Sequence, residues 1–112
     1  MVLEKSFAFA VCMVKLAQFL HKERGESVLS KQVLRSGTSI GANVEEAQAA
    51  QSRKDFISKM AIASKEARET RYWLRLLKET SQLEAKHAAS FLEDCEELIR
   101  LLTAIVKTSQ EQ

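Results

Sequence analysis

The chain reads as an all-α protein, an up-down-up-down antiparallel four-helix bundle in which residues 1–112 form a single domain. Three observations carry that reading. Apolar residues recur at alternating steps of three and four in four long segments, which is the period of a helix face and not of a strand. No proline interrupts any of them. The connections between segments are only a few residues long, which favours antiparallel neighbours.

The first helix, about Ser6 to Glu23, sets Phe9, Met13, Leu16 and Leu20 on one face and ends near Arg24-Gly25, where glycine suits a C-terminal cap. Ala10, Val14 and Ala17 form a second apolar line, widening the arc beyond the roughly 100° that a core-facing helix needs. The second helix, about Ser30 to Ala50, turns Val33, Gly37, Ile40, Val44 and Ala47 inward. Each helical glycine costs about 1 kcal/mol relative to alanine. Close backbone approach is the expected compensation, with Ser36, Gly37, Gly41 and Ala42 making a flat strip for another helix to lie against.

The third helix opens with Ser52-Arg53-Lys54-Asp55, a capping box, and continues as a heptad of Phe56, Met60, Ala63, Ala67, Thr70, Leu74 and Leu77. The fourth follows a second box, Ser81-Gln82-Leu83-Glu84, and carries Ala88, Leu92, Cys95, Ile99, Leu102 and Val106 inward. Beside that line run Phe91, Leu98, Leu101 and Ile105. The extra lines, Ala10, Val14 and Ala17 with Phe91, Leu98 and Ile105, mark either an interface between copies or a broad core.

With 46% hydrophobic and 29% charged residues, the chain has the composition of a folded domain, and a formal charge of +2 does not by itself point to nucleic acid. Phe7 to Leu20 is apolar, but Glu4 offsets Lys5, Lys15 interrupts the run, and the stretch is too short to span a bilayer. A cytoplasmic protein without a membrane role is expected. Cys12 and Cys95 fit buried free thiols in a reducing compartment, a disulfide or redox role being the alternative.

A di-iron bundle site requires two Glu-x-x-His pairs and two further inward glutamates. Only Glu84-Ala85-Lys86-His87 has the spacing, and Glu84 belongs to the expected capping box. The chain has no phosphate loop, zinc-protease motif, Cys-x-x-Cys or nucleophile signature. No enzymatic activity, metal or cofactor is expected.

Charge is unevenly distributed. Ser52 to Glu79 holds eight Lys/Arg against four Asp/Glu, whereas Leu83 to Val106 holds two against five. Lys65, Arg68, Arg71, Arg75 and Lys78 recur at three, three, four and three, a basic strip along one side of helix three that nucleic-acid phosphates can follow. The competing reading is a solvated face, neutralised by pairs such as Lys65 with Glu69 and Arg75 with Glu79 or drawn to acidic helix four. The other flank carries Ile62, Glu66, Glu69, Trp73 and Leu76. If covered, its carboxylates need donors, for which Arg35 and Asn43 are candidates; otherwise they face solvent. Trp73 is expected as a packing anchor.

Ser39-Ile40-Gly41-Ala42-Asn43-Val44-Glu45-Glu46-Ala47, Ser52-Arg53-Lys54-Asp55-Phe56 and Glu66-Ala67-Arg68-Glu69-Thr70-Arg71-Tyr72-Trp73-Leu74 resemble the bacterial four-helix-bundle family named for proteins encoded in 23S rRNA intervening sequences. Ala47 stands where many members have glycine. That family is similar in fold to the accessory variability protein of diversity-generating retroelements. The resemblance implies a homopentamer, RNA or DNA as a ligand, and a reverse transcriptase or another protein as a partner. The expectation is thus a non-enzymatic, ring-forming accessory factor, the competing class being a protein-interaction scaffold with no nucleic-acid role.

Overall fold

In the computed structural model, which describes residues 1–112, four helices account for almost the whole chain: α1 (Val2–Arg24), α2 (Val28–Gln48), α3 (Arg53–Glu79) and α4 (Ala85–Glu111). They pack around one core in an envelope of 46 × 20 × 20 Å. The inward lines of the sequence are the lines that are buried. Phe9, Met13, Leu16 and Leu20 of α1 meet Val33, Ile40, Val44 and Ala47 of α2, and Met60 to Leu77 of α3 meet Ala88, Cys95, Ile99 and Leu102 of α4. Phe56, Leu92 and Val106, at the ends of these lines, are half-buried.

The two glycines of α2 set the spacing of α1 and α2. A Cβ at Gly37 would stand 2.4 Å from Met13 Cγ and 2.9 Å from its Cβ, so Met13 occupies the volume that any other residue would fill. At Gly41 a Cβ would stand 3.1 Å from the Ser6 carbonyl oxygen. Ser36 and Ala42 do not extend this strip. Ser36 is turned toward α3, where its hydroxyl and that of Thr70 share a hydrogen bond of 2.9 Å within the core, and Ala42 is exposed.

Helix ends follow local chemistry. Gly25, at φ 63°, closes α1 in the left-handed conformation, its N–H donating to the Leu20 carbonyl. The first turn of α2 is capped by Glu26, whose Oε1 accepts from the Ser30 N–H at 3.0 Å, while the Ser27 side chain makes no cap bond. Ser52 caps α3 by accepting from the Asp55 N–H at 3.0 Å, half of the expected box. The second expected box does not form. Ser81 instead ends α3 at φ 58°, with the Gln82 N–H donating to the Leu77 carbonyl and the Ser81 N–H to that of Lys78, a Schellman closure. A residue that closes one helix in this way is not placed to cap the next. Helix α4 accordingly begins after Glu84, which makes no side-chain cap bond.

Each helix packs along its sequence neighbours, but α1 and α4 touch sparingly. One ion pair, Lys5 to Glu97 at 3.2 Å, crosses between them. Farther along the same seam, Cys12, Leu16, Phe19, Leu83 and Phe91 line an apolar cleft of about 340 Å³ that Glu84 and His87 also border. Both cysteines are free. Cys12 is half-buried, whereas Cys95 is buried and its thiol donates to the Ala67 carbonyl at 3.2 Å. Burial pushes that thiol up to about 12, far from nucleophilic use at neutral pH.

Two outcomes follow from this packing. Gly37→Ala should destabilise by about 1–3 kcal/mol, because Met13 is held by its own helix and the insertion overpacks the seam. Gly41→Ala should be milder, the 3.1 Å approach to Ser6 being partly offset by a propensity gain of about 1 kcal/mol, whereas Gly41→Leu should be as harmful as Gly37→Ala. Thermal midpoints of the three variants test this order. Ser81→Gly should raise stability by about 0.5–1 kcal/mol by relieving a left-handed non-glycine residue, while Ser81→Ala should not; urea midpoints separate the two.

Candidate nucleic-acid interface

Helical spacing places Lys65, Arg68, Arg71, Arg75 and Lys78 along one side of α3. Lys65, Arg68, Arg75 and Lys78 are exposed, and Arg71 is half-buried near Cys95. None of the five forms an ion pair. The pairs present are Met1 with Glu4, Lys5 with Glu97, Arg35 with Glu66 and Glu69, and Lys59 with Glu46. The one directed contact of the strip is to an uncharged group: Arg68 donates to Thr103 Oγ1 on α4 at 3.1 Å.

The expected Arg75–Glu79 pair does not form, and for Lys65 the reason lies on the opposite flank. Arg35 of α2 reaches across to Glu66 at 3.1 Å and to Glu69, and the Trp73 indole N–H donates to Glu69 at 3.0 Å. Glu69 is therefore turned from Lys65 toward α2, and the expected Lys65–Glu69 pair does not form. Asn43, the other candidate donor, bonds the Ser39 carbonyl and hydroxyl within its own helix. Trp73 is half-buried against the core, with Tyr72 edge-on at 5.1 Å between ring centroids. It anchors the flank through both its ring and its N–H.

This arrangement shifts two ionisations. The Trp73 hydrogen bond, with Arg35 assisting and burial opposing, holds the Glu69 carboxyl below the usual carboxylate range. Glu69 in turn raises Arg35, which stays charged under all ordinary conditions.

The apolar residues expected between copies divide into two groups. Leu98 is 1% exposed and Ala17 is buried, so both belong to the chain's own core and not to its surface. Phe91 and Ile105 are half-buried against that core. A bundle helix faces two neighbours and needs an apolar line toward each, so on α4 the second line is used inside the molecule. Ala10 is half-buried and Val14 is 39% exposed. Sequence reading passed over Phe7, 64% exposed, together with Val11 and Leu34. Phe7, Val11 and Val14 recur at four and three, the signal that could have found them. Val14 and Leu34 border one depression between α1 and α2, and Phe7, Ala10 and Ala42 border another.

No three residues among His, Cys, Asp and Glu gather as a metal-ligand set, and no helix is long and apolar enough to cross a membrane.

The model of the family described as 23S rRNA-intervening sequence protein matches residues 1–104. The chain belongs to that family. A solved structure similar to this member is that of a protein of unknown function from the S23 ribosomal protein family of Bacteroides thetaiotaomicron VPI-5482. The two are 52% identical, with a TM-score of 0.94 over 96% of this chain and 99% of that one. A search of curated proteins finds no match. For this family member, then, four antiparallel helices and their arrangement rest on both the fold and the comparison.

The Glu69 contacts carry a pH dependence whose sign is fixed. A carboxyl depressed in the folded state contributes stability above its unfolded value, about 4.3, and loses that contribution as pH falls through the folded value. Glu69→Gln should cost on the order of 0.5–1 kcal/mol at pH 7, a modest figure because Arg35 is half exposed. The difference from the natural protein should shrink below about pH 4. Urea denaturation across pH 3–7 measures it.

Proposed function

We propose that the protein is a non-enzymatic homo-oligomer that serves as a nucleic-acid accessory factor, binding the sugar-phosphate backbone of RNA or DNA through the strip of Lys65, Arg68, Arg71, Arg75 and Lys78. The observation that carries this reading is the segregation of charge on α3. Its two flanking carboxylates, Glu66 and Glu69, are held by Arg35 on one side, leaving five cations without an ion pair on the other. A strip of that kind attracts phosphates by releasing their condensed counterions, and it reads no bases. Arginine's planar fork suits phosphate oxygens, and an oligomer repeats the strip, so weak contacts add through effective concentration. Five subunits is the number that the family resemblance implies.

The exposed apolar residues Phe7, Val11, Val14 and Leu34 on α1 and α2 supply a face for contact between copies. The same face favours the second reading, a protein-interaction scaffold. Light scattering is expected to give a multiple of 12.6 kDa. A mass of one chain at micromolar concentration would remove the oligomer.

Fluorescence anisotropy tests the strip. The natural protein should bind a single strand with log K falling against log salt at about −0.7 per phosphate neutralised. An Arg68→Glu, Arg71→Glu, Arg75→Glu variant of unchanged fold and mass should bind more weakly and with a shallower slope. Undiminished binding would dismiss the strip, and absence of binding by the natural protein at low salt would leave the scaffold.

A further inference from the structure

Where the basic strip meets α4, the surface is no longer a flat row of cations. Ser64 and Arg68 of α3 face Thr103, Lys107 and Gln110 of α4 across a depression of about 250 Å³. Every polar side chain around it can donate a hydrogen bond, and no carboxylate lines it. Its remaining walls are the small apolar side chains of Ala61 and Val106.

Arg68 is already oriented here. Its guanidinium donates to Thr103 Oγ1 at 3.1 Å, which fixes one edge of the fork and leaves further N–H groups free. Lys107 follows Thr103 by about one helical turn and lines the same depression from α4. Two cationic side chains from different helices, with hydroxyls and an amide lining the same depression, suit a tetrahedral anion better than a single row does.

We infer that this depression is a phosphate seat, in which Arg68 and Lys107 clamp one phosphodiester of a single strand while Ser64 and Gln110 supply neutral hydrogen bonds. The assignment rests on the nucleic-acid reading above and adds to it a fixed point of attachment on α4, the helix whose overall composition is acidic. Ala61 and Val106 give the adjoining sugar an apolar surface to rest on. The strip supplies attraction along its length; the seat sets where the strand begins its path over α3. Thr103 acts through Arg68 and is a positioning residue.

The test uses fluorescein-labelled oligo(U) and the full chain. Lys107→Glu should weaken binding about tenfold at low salt and make the salt slope shallower by about 0.7, the contribution of one phosphate on a single strand. Thr103→Val removes no charge, so it should weaken binding about threefold while leaving the slope unchanged, a pattern that loss of one neutral bond produces. Both positions are exposed, and thermal midpoints equal to that of the natural protein confirm that the fold is kept. An Arg71→Glu, Arg75→Glu variant, which leaves the depression intact, is the comparator. If that variant loses affinity while Lys107→Glu and Thr103→Val bind as the natural protein does, the seat is refuted and the strip stands. If none of the three variants loses affinity, or the natural protein does not bind, the strip and the seat fall together.

Discussion

The absence of a side chain at Gly37 governs the rest of the molecule. Met13 of α1 enters the space a Cβ would take, and Gly41 lets the Ser6 backbone close in four residues farther on. With α1 seated on that face of α2, the neighbouring positions have no choice of direction. Ser36 turns to Thr70 within the core, and Arg35 emerges at the α2/α3 boundary within reach of Glu66 and Glu69. Two glycines, each unfavourable to the helix that contains it, thus fix the rotation of α2 about its axis.

That rotation has an electrostatic result on the far side of α3. A helix bearing both signs of charge ordinarily neutralises itself through neighbours three and four residues apart. Here Glu69 lies four residues from Lys65 yet is drawn across to Arg35 and the Trp73 indole. The Arg35 contacts lie toward α2, so the carboxylates and the basic strip occupy different sides of one helix. The buried pair Ser36–Thr70 sits between the two and is fully hydrogen-bonded, as is every buried polar side-chain atom of the chain. Polar groups in this bundle act less as a source of stability than as a means of orienting α2 and α3.

The helices and their inward lines were legible because burial on one face imposes a period that survives any choice of apolar residue. The glycine strip was legible for a related reason: an unfavourable residue in a helix implies a neighbour. What failed depended on competition between two possible uses of one residue. Ser81 has the spacing of an N-cap, but backbone closure of α3 claims it first. Leu98 looks surplus when α4 is considered alone and becomes core once α1 lies beside it. Asn43 was a reasonable partner for a carboxylate until Arg35, with its longer reach, proved sufficient. The strip could be found by counting along α3, whereas the depression that Arg68 and Lys107 both line is built from two helices and cannot be read in one dimension.

The sparing contact between α1 and α4 bears on how the chain acquires its fold. Nearly all helix-to-helix packing joins segments adjacent in sequence, so each step closes only a short loop and long-range pairing is largely avoided. Such a topology belongs to the rapid end of folding rates, on the order of microseconds to milliseconds. The α2/α3 hairpin carries the buried hydroxyl pair and the arginine bridge, and α1 and α4 pack on either side of it. The Lys5–Glu97 contact links residues 92 apart, so forming it closes a long loop. Few packed contacts hold that seam, so opening it costs less than opening any other helix pair.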